Sequence, residues 1–269
     1  MKRWILYCTL TLAACQNSSV EAEKKSNKTK IENQDPQVAA FEKLLQQFPD
    51  SNEIRAQYVQ YLDSTAQYPK ALEQSAILIR SDSLNAGLWF FTAGLAEKAK
   101  DTGLAIKAYI NSLKIYNKNP EALLYLAHLL AEQKNPSCLD LCKELDQLRI
   151  GQPYYTHANF IRGLFYARTG KVEEAKQFFQ SCINTDFRYT RAHLEMVFLD
   201  YDQGKYPEAL AYITKVQPLI PTDPDLFYWR AKCEEQAGQK DAAIKHYEAA
   251  LLIDPKMTQA SEALDRLKK

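Results

Sequence analysis

The sequence predicts an all-α fold, an α-solenoid in which helix pairs stack on one another along the chain. The first observation is a period of 34 residues, which separates the glycines Gly170, Gly204 and Gly238, each followed five residues later by an alanine. A period of this length is typical of a helix–turn–helix unit that stacks on copies of itself. The second observation is composition, because only 8 glycines and abundant Ala, Leu, Lys, Gln and Glu favour helices over strands.

Composition and motifs also narrow the classes of function. A hydrophobic content of 46% indicates a core-forming chain, and a net charge of +1 gives no electrostatic footprint for nucleic acid. The sequence has no phosphate-binding loop, dinucleotide fingerprint, nucleophile elbow or zinc-protease helix. Its histidines are never paired at metal-ligand spacing. We therefore expect no enzyme, cofactor, metal or small-molecule substrate, and catalysis remains the least favoured alternative.

Further residues recur at the same period and resemble the tetratricopeptide repeat (TPR). A compact residue (Gly163, Val197, Ala231) stands at the eighth position of each repeat, where two helices would cross closely. The glycine stands at the fifteenth position, where the first helix would end in a left-handed turn. The other markers are the alanines Ala175, Ala209 and Ala243, the large residues Phe179, Ile213 and Tyr247, and the prolines Pro221 and Pro255.

Extending this period backwards predicts six repeats, at residues 52–85, 86–119, 120–155, 156–189, 190–223 and 224–257. The third repeat is divergent, with a two-residue insertion near Gly151. Capping helices are expected at residues 36–51 and 256–268, because the end faces of a repeat stack would otherwise expose apolar surface. Pro218 should end or kink the second helix of its repeat early, since it removes a backbone donor.

The first residues carry a predicted targeting signal. Lys2 and Arg3 precede a short apolar stretch that ends in Leu-Ala-Ala before Cys15, which resembles a bacterial lipoprotein box. The resemblance implies that residues 1–14 are a signal peptide and that Cys15 is lipidated, with palmitate among its acyl chains; Gln16 favours the outer membrane, facing the periplasm. An ordinary signal peptide that leaves Cys15 unmodified is the alternative. Residues 16–35, poor in apolar side chains, would form a flexible tether of roughly 25 Å.

The TPR resemblance also implies where a partner would bind. In such repeats the second, fifth, ninth, twelfth and thirteenth positions face a concave surface. The residues that we predict to form a partner-binding groove at these positions are Phe90, His128, His157, Phe160, Leu164, Arg168, Arg191, Leu194, Phe198, Tyr201, Tyr228 and Lys232. An exposed apolar and aromatic surface of this kind marks a site for an extended or helical peptide. Alternatively, these rings pack against one another within the superhelix.

Four cysteines remain after Cys15, namely Cys138, Cys142, Cys182 and Cys233. Cys138 and Cys142 share a helix face, so a thiol pair or metal site is conceivable, but replacement of small core residues is favoured. An even number permits disulfides, and the pairing stays open. The sequence as a whole predicts a lipid-anchored, non-enzymatic adaptor of the bacterial envelope that binds a protein or peptide and assists assembly of an envelope complex. A self-associating lipoprotein whose groove is filled by its own residues or by a second copy is the alternative.

Overall fold

The structure, a computed structural model, describes residues 35–268. These residues form fourteen α-helices, with no strand among them, so the predicted all-α fold class is confirmed. The helices are α1 (Pro36–Gln47), α2 (Asn52–Ser64), α3 (Tyr68–Ser81), α4 (Ala86–Lys98), α5 (Thr102–Ile115), α6 (Pro120–Glu132), α7 (Ser137–Leu148), α8 (Gln152–Arg168), α9 (Val172–Thr185), α10 (Thr190–Asp202), α11 (Tyr206–Val216), α12 (Pro224–Gln236), α13 (Lys240–Ile253) and α14 (Thr258–Leu267). The predicted signal peptide, Cys15 and almost all of the tether lie outside the described residues.

The described chain divides into two compact units, residues 35–83 and residues 84–268. In the first unit, α1 packs on the helix pair α2 and α3. Asp35 caps α1 by accepting a hydrogen bond from the backbone N–H of Gln37 (2.9 Å), and Pro36 occupies the first turn, where its missing donor costs nothing. The ring of Phe41 stacks on that of Tyr58, with centroids 5.1 Å apart. This contact holds α1 on the helix pair, at the place where a capping helix is predicted.

The second unit contains five helix pairs, α4–α5 to α12–α13, followed by α14. Their first helices end in the same left-handed turn. The predicted glycines Gly170, Gly204 and Gly238 have φ of 79°, 71° and 76°. Lys100 and Lys134 adopt the same conformation, with φ of 60° and 59°, in the corresponding turns of the earlier repeats. A residue with a side chain in this conformation lowers the stability of the fold by on the order of 1 kcal/mol. This cost is small enough that the turn keeps its backbone geometry where glycine is absent.

The eighth position of the repeat at 156–189 shows why a small residue is needed there. A Cβ atom placed on Gly163 would lie 2.5 Å from Cε1 of Phe179, which is buried on α9. Real Cβ contacts are essentially never this close, so any other residue at 163 would require the Phe179 ring or the two helices to shift. The close crossing predicted from the sequence is therefore present at this pair.

Two features of the connections follow from prolines. Helix α11 ends at Val216 and passes into a 3₁₀ turn at Gln217–Leu219, so the predicted early end at Pro218 is confirmed. Helix α8 begins at Gln152, four residues before the predicted start of its repeat at Thr156. The predicted insertion thus forms an additional helical turn, in which Pro153 occupies a first-turn position and the Tyr154 hydroxyl donates to Glu121 (2.5 Å).

The four described cysteines are buried and free. Cys182 occupies an alanine position of the repeat and donates from Sγ to the carbonyl oxygen of Thr156 (3.3 Å). Burial raises the pKa of the Cys138 thiol to about 11 and that of the Cys142 thiol to about 12, which makes both poor nucleophiles at neutral pH. They fill the core of their repeat. Within residues 35–268, no group of His, Cys, Asp and Glu is arranged to hold a metal, and no helix is long and apolar enough to cross a membrane.

Candidate functional site

The twelve predicted groove residues lie on the first helices of the five pairs in the second unit. Phe90 on α4 packs against the rings of Tyr109 and Tyr125, with centroids 5.6 and 6.1 Å away. His128, His157, Phe160, Leu164, Arg168 and Arg191 form what we name the closed region. Tyr201, Tyr228 and Lys232 line what we name the open pocket, whereas Phe198 packs on the ring of Trp229 and is not part of the lining. Leu194 on α10 is half-buried.

The closed region is filled by side chains of the protein itself. Arg191 on α10 extends to α6, two repeats earlier, and donates to Nε2 of His128 (3.3 Å). Its guanidinium carbon lies 4.8 Å from the centroid of the Phe160 ring. Beneath it, Phe160 is only 3% exposed and Leu164 only 1%. The prediction that Phe160 and Leu164 face a groove is therefore wrong, because neighbouring helices come close enough to bury both in the core.

An ionic cluster closes the same region. Arg168 donates to both carboxylate oxygens of Glu132 (2.9 and 3.1 Å) and to those of Glu195 (3.2 and 3.3 Å). Burial raises the pKa of Glu195, and the adjacent Arg168 opposes that shift. Burial also disfavours the charge of Arg168, but its hydrogen bonds to both carboxylates raise its pKa above the usual value. Arg168, which was predicted to contact a partner, is thus engaged with two carboxylates of its own chain.

The two histidines of the closed region are held in the neutral form. Nδ1 of His157 lies 2.6 Å from the hydroxyl of Tyr189. Burial lowers the pKa of His128 and of His157, and the charge of Arg191 lowers both further. Since an arginine can only donate, Nε2 of His128 must act as the acceptor and carry no proton.

The open pocket lies between α10, α12, α13 and α14 and has a volume of about 670 Å³. This volume falls within the range of ordinary ligand pockets. Its walls come from Tyr201 of the fifth repeat, from the last repeat and from the terminal helix, which was predicted only as a cap. The lining residues are Tyr201, Tyr228, Lys232, Glu235, Gln236, Tyr247, Gln259, Glu262, Ala263 and Arg266.

Lys232 lies in the wall of this pocket, among three aromatic rings. Its Nζ is 4.3 Å from the ring centroid of Trp229, 5.1 Å from that of Tyr201 and 5.7 Å from that of Tyr228. None of the ion pairs found among the described residues involves Lys232. The rings stabilise the ammonium through their electron-rich faces, which leaves its hydrogen-bonding capacity available to a ligand.

Two of the other charged groups of the pocket, Arg266 and Glu235, are paired with each other, and Glu262 is exposed. Arg266 donates from both terminal nitrogens to Glu235, one of them at 3.0 Å, and the Tyr247 hydroxyl donates to the same carboxylate (3.0 Å). The hydrogen bonds from Arg266 lower the pKa of Glu235. This bridge ties α14 to α12, so Lys232 is the cation of the pocket lining that no ion pair engages.

Several residues of these two regions were missed by the sequence reasoning. Trp229 occupies the sixth position, which the repeat pattern assigns to packing within the pair. Its ring nevertheless also packs against Phe198, with the two ring centroids 4.3 Å apart. Arg266 belongs to a helix outside the repeats. Glu195 replaces an apolar residue in the middle of α10, and that charge among apolar neighbours was a signal that a buried ion pair exists.

Two segments of the chain match the family model of the tetratricopeptide repeat, residues 156–189 and residues 224–257. Both coincide with repeats predicted from the sequence. The chain carries TPR repeats. No match to it was found among curated proteins.

Solved structures agree with this result. A TPR protein from Parabacteroides merdae ATCC 43184 superposes with a TM-score of 0.70 at 16% identity, covering 86% of this chain and 91% of that one. PilW, described as a widely conserved type IV pilus biogenesis factor, gives a TM-score of 0.61 at 17% identity, covering 81% and 100%. A thermophilic TPR protein from Thermus thermophilus gives 0.55 at 19%, covering 68% and 98%. At such identities the likeness shows the fold, an all-α TPR superhelix.

Proposed function

We propose that this protein is a non-enzymatic adaptor, anchored in the bacterial envelope by a lipid on Cys15, that binds a segment of a partner protein in the open pocket. TPR repeats support the coarser part of this statement, since they form protein-interaction scaffolds. The proposal that the partner binds in the open pocket rests on the difference between the closed region and the open pocket. The closed region is occupied by the chain's own residues, whereas the pocket at Lys232 is open to a ligand.

The chemistry of the pocket favours a segment that combines an acidic group with apolar side chains. Lys232 supplies an ammonium that no ion pair engages, and the part-exposed rings of Tyr201 and Tyr228 supply amphipathic surface around it. A carboxylate placed here would form a charge-assisted hydrogen bond in a partly buried setting. Flanking apolar side chains would bury area against the tyrosine rings, as anchor residues do in peptide grooves.

The likeness to PilW supports a role in envelope assembly by analogy of architecture, because that protein is described as a pilus biogenesis factor. The predicted lipoprotein box would place the adaptor at the outer membrane, facing the periplasm. We propose on these grounds that it assists assembly of an envelope complex. The second candidate is a self-associating lipoprotein whose groove is filled by its own residues or by a second copy, and the closed region favours filling by its own residues. Light scattering measures the oligomeric state of the purified chain with and without residues 16–35. A monomer in both cases supports the adaptor. An oligomer that forms only when residues 16–35 are present shows that the tether of one copy fills the groove of another.

The ligand chemistry is tested with a peptide display library, panned against the lipidated protein in mild detergent. We expect enrichment of peptides that carry Asp or Glu beside aromatic or aliphatic residues. Lys232→Glu should lose these peptides, because the substitution reverses the charge that faces the ligand. The matched control is Lys205→Glu, which reverses an exposed charge in the turn between α10 and α11. Equal enrichment by the wild type and Lys232→Glu would remove the pocket as the binding site.

A further inference from the structure

One edge of the second unit carries exposed apolar side chains at every connection from the second helix of a pair to the next helix. Leu252, in the last turn of α13, is 85% exposed, and Tyr116, after α5, is 54% exposed. The remaining connections each contribute a further large, exposed apolar residue, and these are Ile150, Phe187 and Leu219. Isolated apolar residues are ordinary on protein surfaces, but one in each of five successive connections is a pattern.

These five connections lie on the same side of the helix layer. Short connections make successive helices antiparallel, so every second connection returns to the same edge. Side-chain hydrogen bonds confirm the arrangement, because Ser112 near the end of α5 donates to the carbonyl oxygen of Ala86 at the start of α4 (2.8 Å). In the same way, Cys182 on α9 donates to the carbonyl oxygen of Thr156 on α8. We name this side the junction edge.

The opposite edge, formed by the left-handed turns, has a different surface. Its turns carry exposed lysines, among them Lys100, Lys134, Lys171 and Lys205. None of the large apolar residues that are exposed in the described chain lies in these turns. The opposite edge therefore carries exposed cations without large exposed apolar residues.

Each apolar residue of the junction edge has an exposed basic neighbour within four residues along the chain. These neighbours are Lys118, Arg149, Arg188, Lys215 and Lys256. Each of the three carboxylates in the five connections accepts a hydrogen bond from a backbone N–H. Asp186 and Asp254 accept hydrogen bonds from the backbone N–H of Arg188 (2.9 Å) and Lys256 (3.0 Å), and Asp223 caps α12. The five cations outnumber these three carboxylates, and none of the ion pairs found among the described residues involves them.

We infer that the junction edge binds the surface of an anionic lipid bilayer. An apolar side chain beside a lysine or arginine is the combination that inserts into the headgroup region while its charge contacts anionic lipid. Packed helices lie about 10 Å apart, so the five apolar residues are separated and do not form the continuous apolar centre of a protein interface. A fluid bilayer accommodates such separated insertions. This inference goes beyond the proposed adaptor function, and the predicted lipid on Cys15 would act beside it.

The test uses a chain of residues 16–269, which has no acyl anchor and keeps every described helix. It is sedimented with vesicles of equal parts phosphatidylglycerol and phosphatidylethanolamine, and separately with phosphatidylcholine vesicles. We expect binding to the anionic vesicles that weakens as salt is raised, since the lipid charge is screened. A variant with Phe187→Ser, Leu219→Ser and Leu252→Ser should lower the partition coefficient by about tenfold or more, because its inserted apolar area is lost.

The matched control replaces three lysines of the opposite edge, as Lys134→Ser, Lys171→Ser and Lys205→Ser, and should retain most of the binding. Absence of wild-type binding to the anionic vesicles, or equal binding by the triple-serine variant of the junction edge, would overturn the inference. Sedimentation velocity provides the other decisive outcome. If the junction-edge variant changes the oligomeric state and leaves vesicle binding unchanged, the edge joins copies of the chain, and the lipid inference fails. Lys232→Glu should bind vesicles normally, so the peptide pocket is tested independently.

Discussion

Phe160 and Tyr228 occupy the fifth position of two repeats in the second unit, and Leu164 and Lys232 occupy the ninth. In the closed region both residues are buried. In the open pocket both line a space of about 670 Å³. The same two positions of the repeat therefore produce core in one place and a binding surface in another.

The difference arises from the part of the chain that covers these two positions in each region. In the closed region, Arg191 of the next repeat covers the Phe160 ring and continues to His128, so the surface is sealed. After the last repeat, the covering element is the ten-residue α14, whose small Ala263 faces the pocket. The charged ninth residue, Lys232, also resists full burial, because a desolvated ammonium needs compensation. Position in the repeat thus sets the direction of a side chain, while the next helix decides whether it is exposed.

The largest effect should come from truncating the fifth position in the closed region. Phe160→Ala is expected to lower the free energy of unfolding by about 3–5 kcal/mol, because it removes a fully packed ring and leaves a cavity. Tyr228→Ala, at the same position in the open pocket, should cost only about 1 kcal/mol, because its ring is already part-exposed. Denaturant unfolding followed by circular dichroism measures both. Equal losses for the two variants would contradict the division into closed and open regions.

A second pair of variants tests how tightly the closed region is packed. Gly163→Ala should lower the free energy of unfolding by about 1–3 kcal/mol, since its Cβ would overlap the Phe179 ring. Gly94→Ala is the control, because a Cβ there meets no atom within 4 Å and alanine is the better helix former. It should be neutral or stabilise the fold by up to about 1 kcal/mol. Thermal unfolding of both variants would decide, and a tolerated Gly163→Ala would mean that α8 and α9 can separate.

The smallest expected effect is a pH dependence confined to the closed region. His128 and His157 have folded-state pKa values below the ordinary value of 6.5, so the unfolded chain binds more protons. Their contribution to stability is complete above that value and is lost as the pH falls below it. Arg168 and Arg191 oppose protonation of His128, while Glu132 favours it.

The measurement is the unfolding free energy between pH about 7.5 and about 5.5, a range in which histidine is the side chain that ordinarily titrates. His128→Gln should make stability less dependent on pH, since glutamine keeps an acceptor for Arg191 but does not titrate. Lys232→Gln in the open pocket should leave the dependence unchanged. A wild-type chain whose stability is constant over this range would show that the two histidines are not held neutral.

Much of the scaffold could be predicted from the sequence because its determinants are local and periodic. Gly163, the turn glycines and Pro218 each act within one helix pair, so their spacing alone indicates their role. Whether each predicted groove residue is buried or exposed could not be predicted in the same way. Arg191 reaches His128 across 63 residues, and Arg266 pairs with Glu235 from a helix outside the repeat. Such contacts depend on how successive pairs are stacked, and no period of the sequence records them.

The left-handed turns have a consequence for how repeats of this kind diverge. Lys100 and Lys134 hold the same backbone conformation as Gly170 and Gly238, although the two segments that match the family model are among those that carry the glycine. Repeats with lysine at this position therefore keep the turn conformation of the repeats with glycine. The lysine turns carry backbone strain that the glycine turns lack, on the order of 1 kcal/mol each. The earlier repeats are therefore less stable at these turns than glycine would make them. We expect that Lys100→Gly or Lys134→Gly would remove this strain.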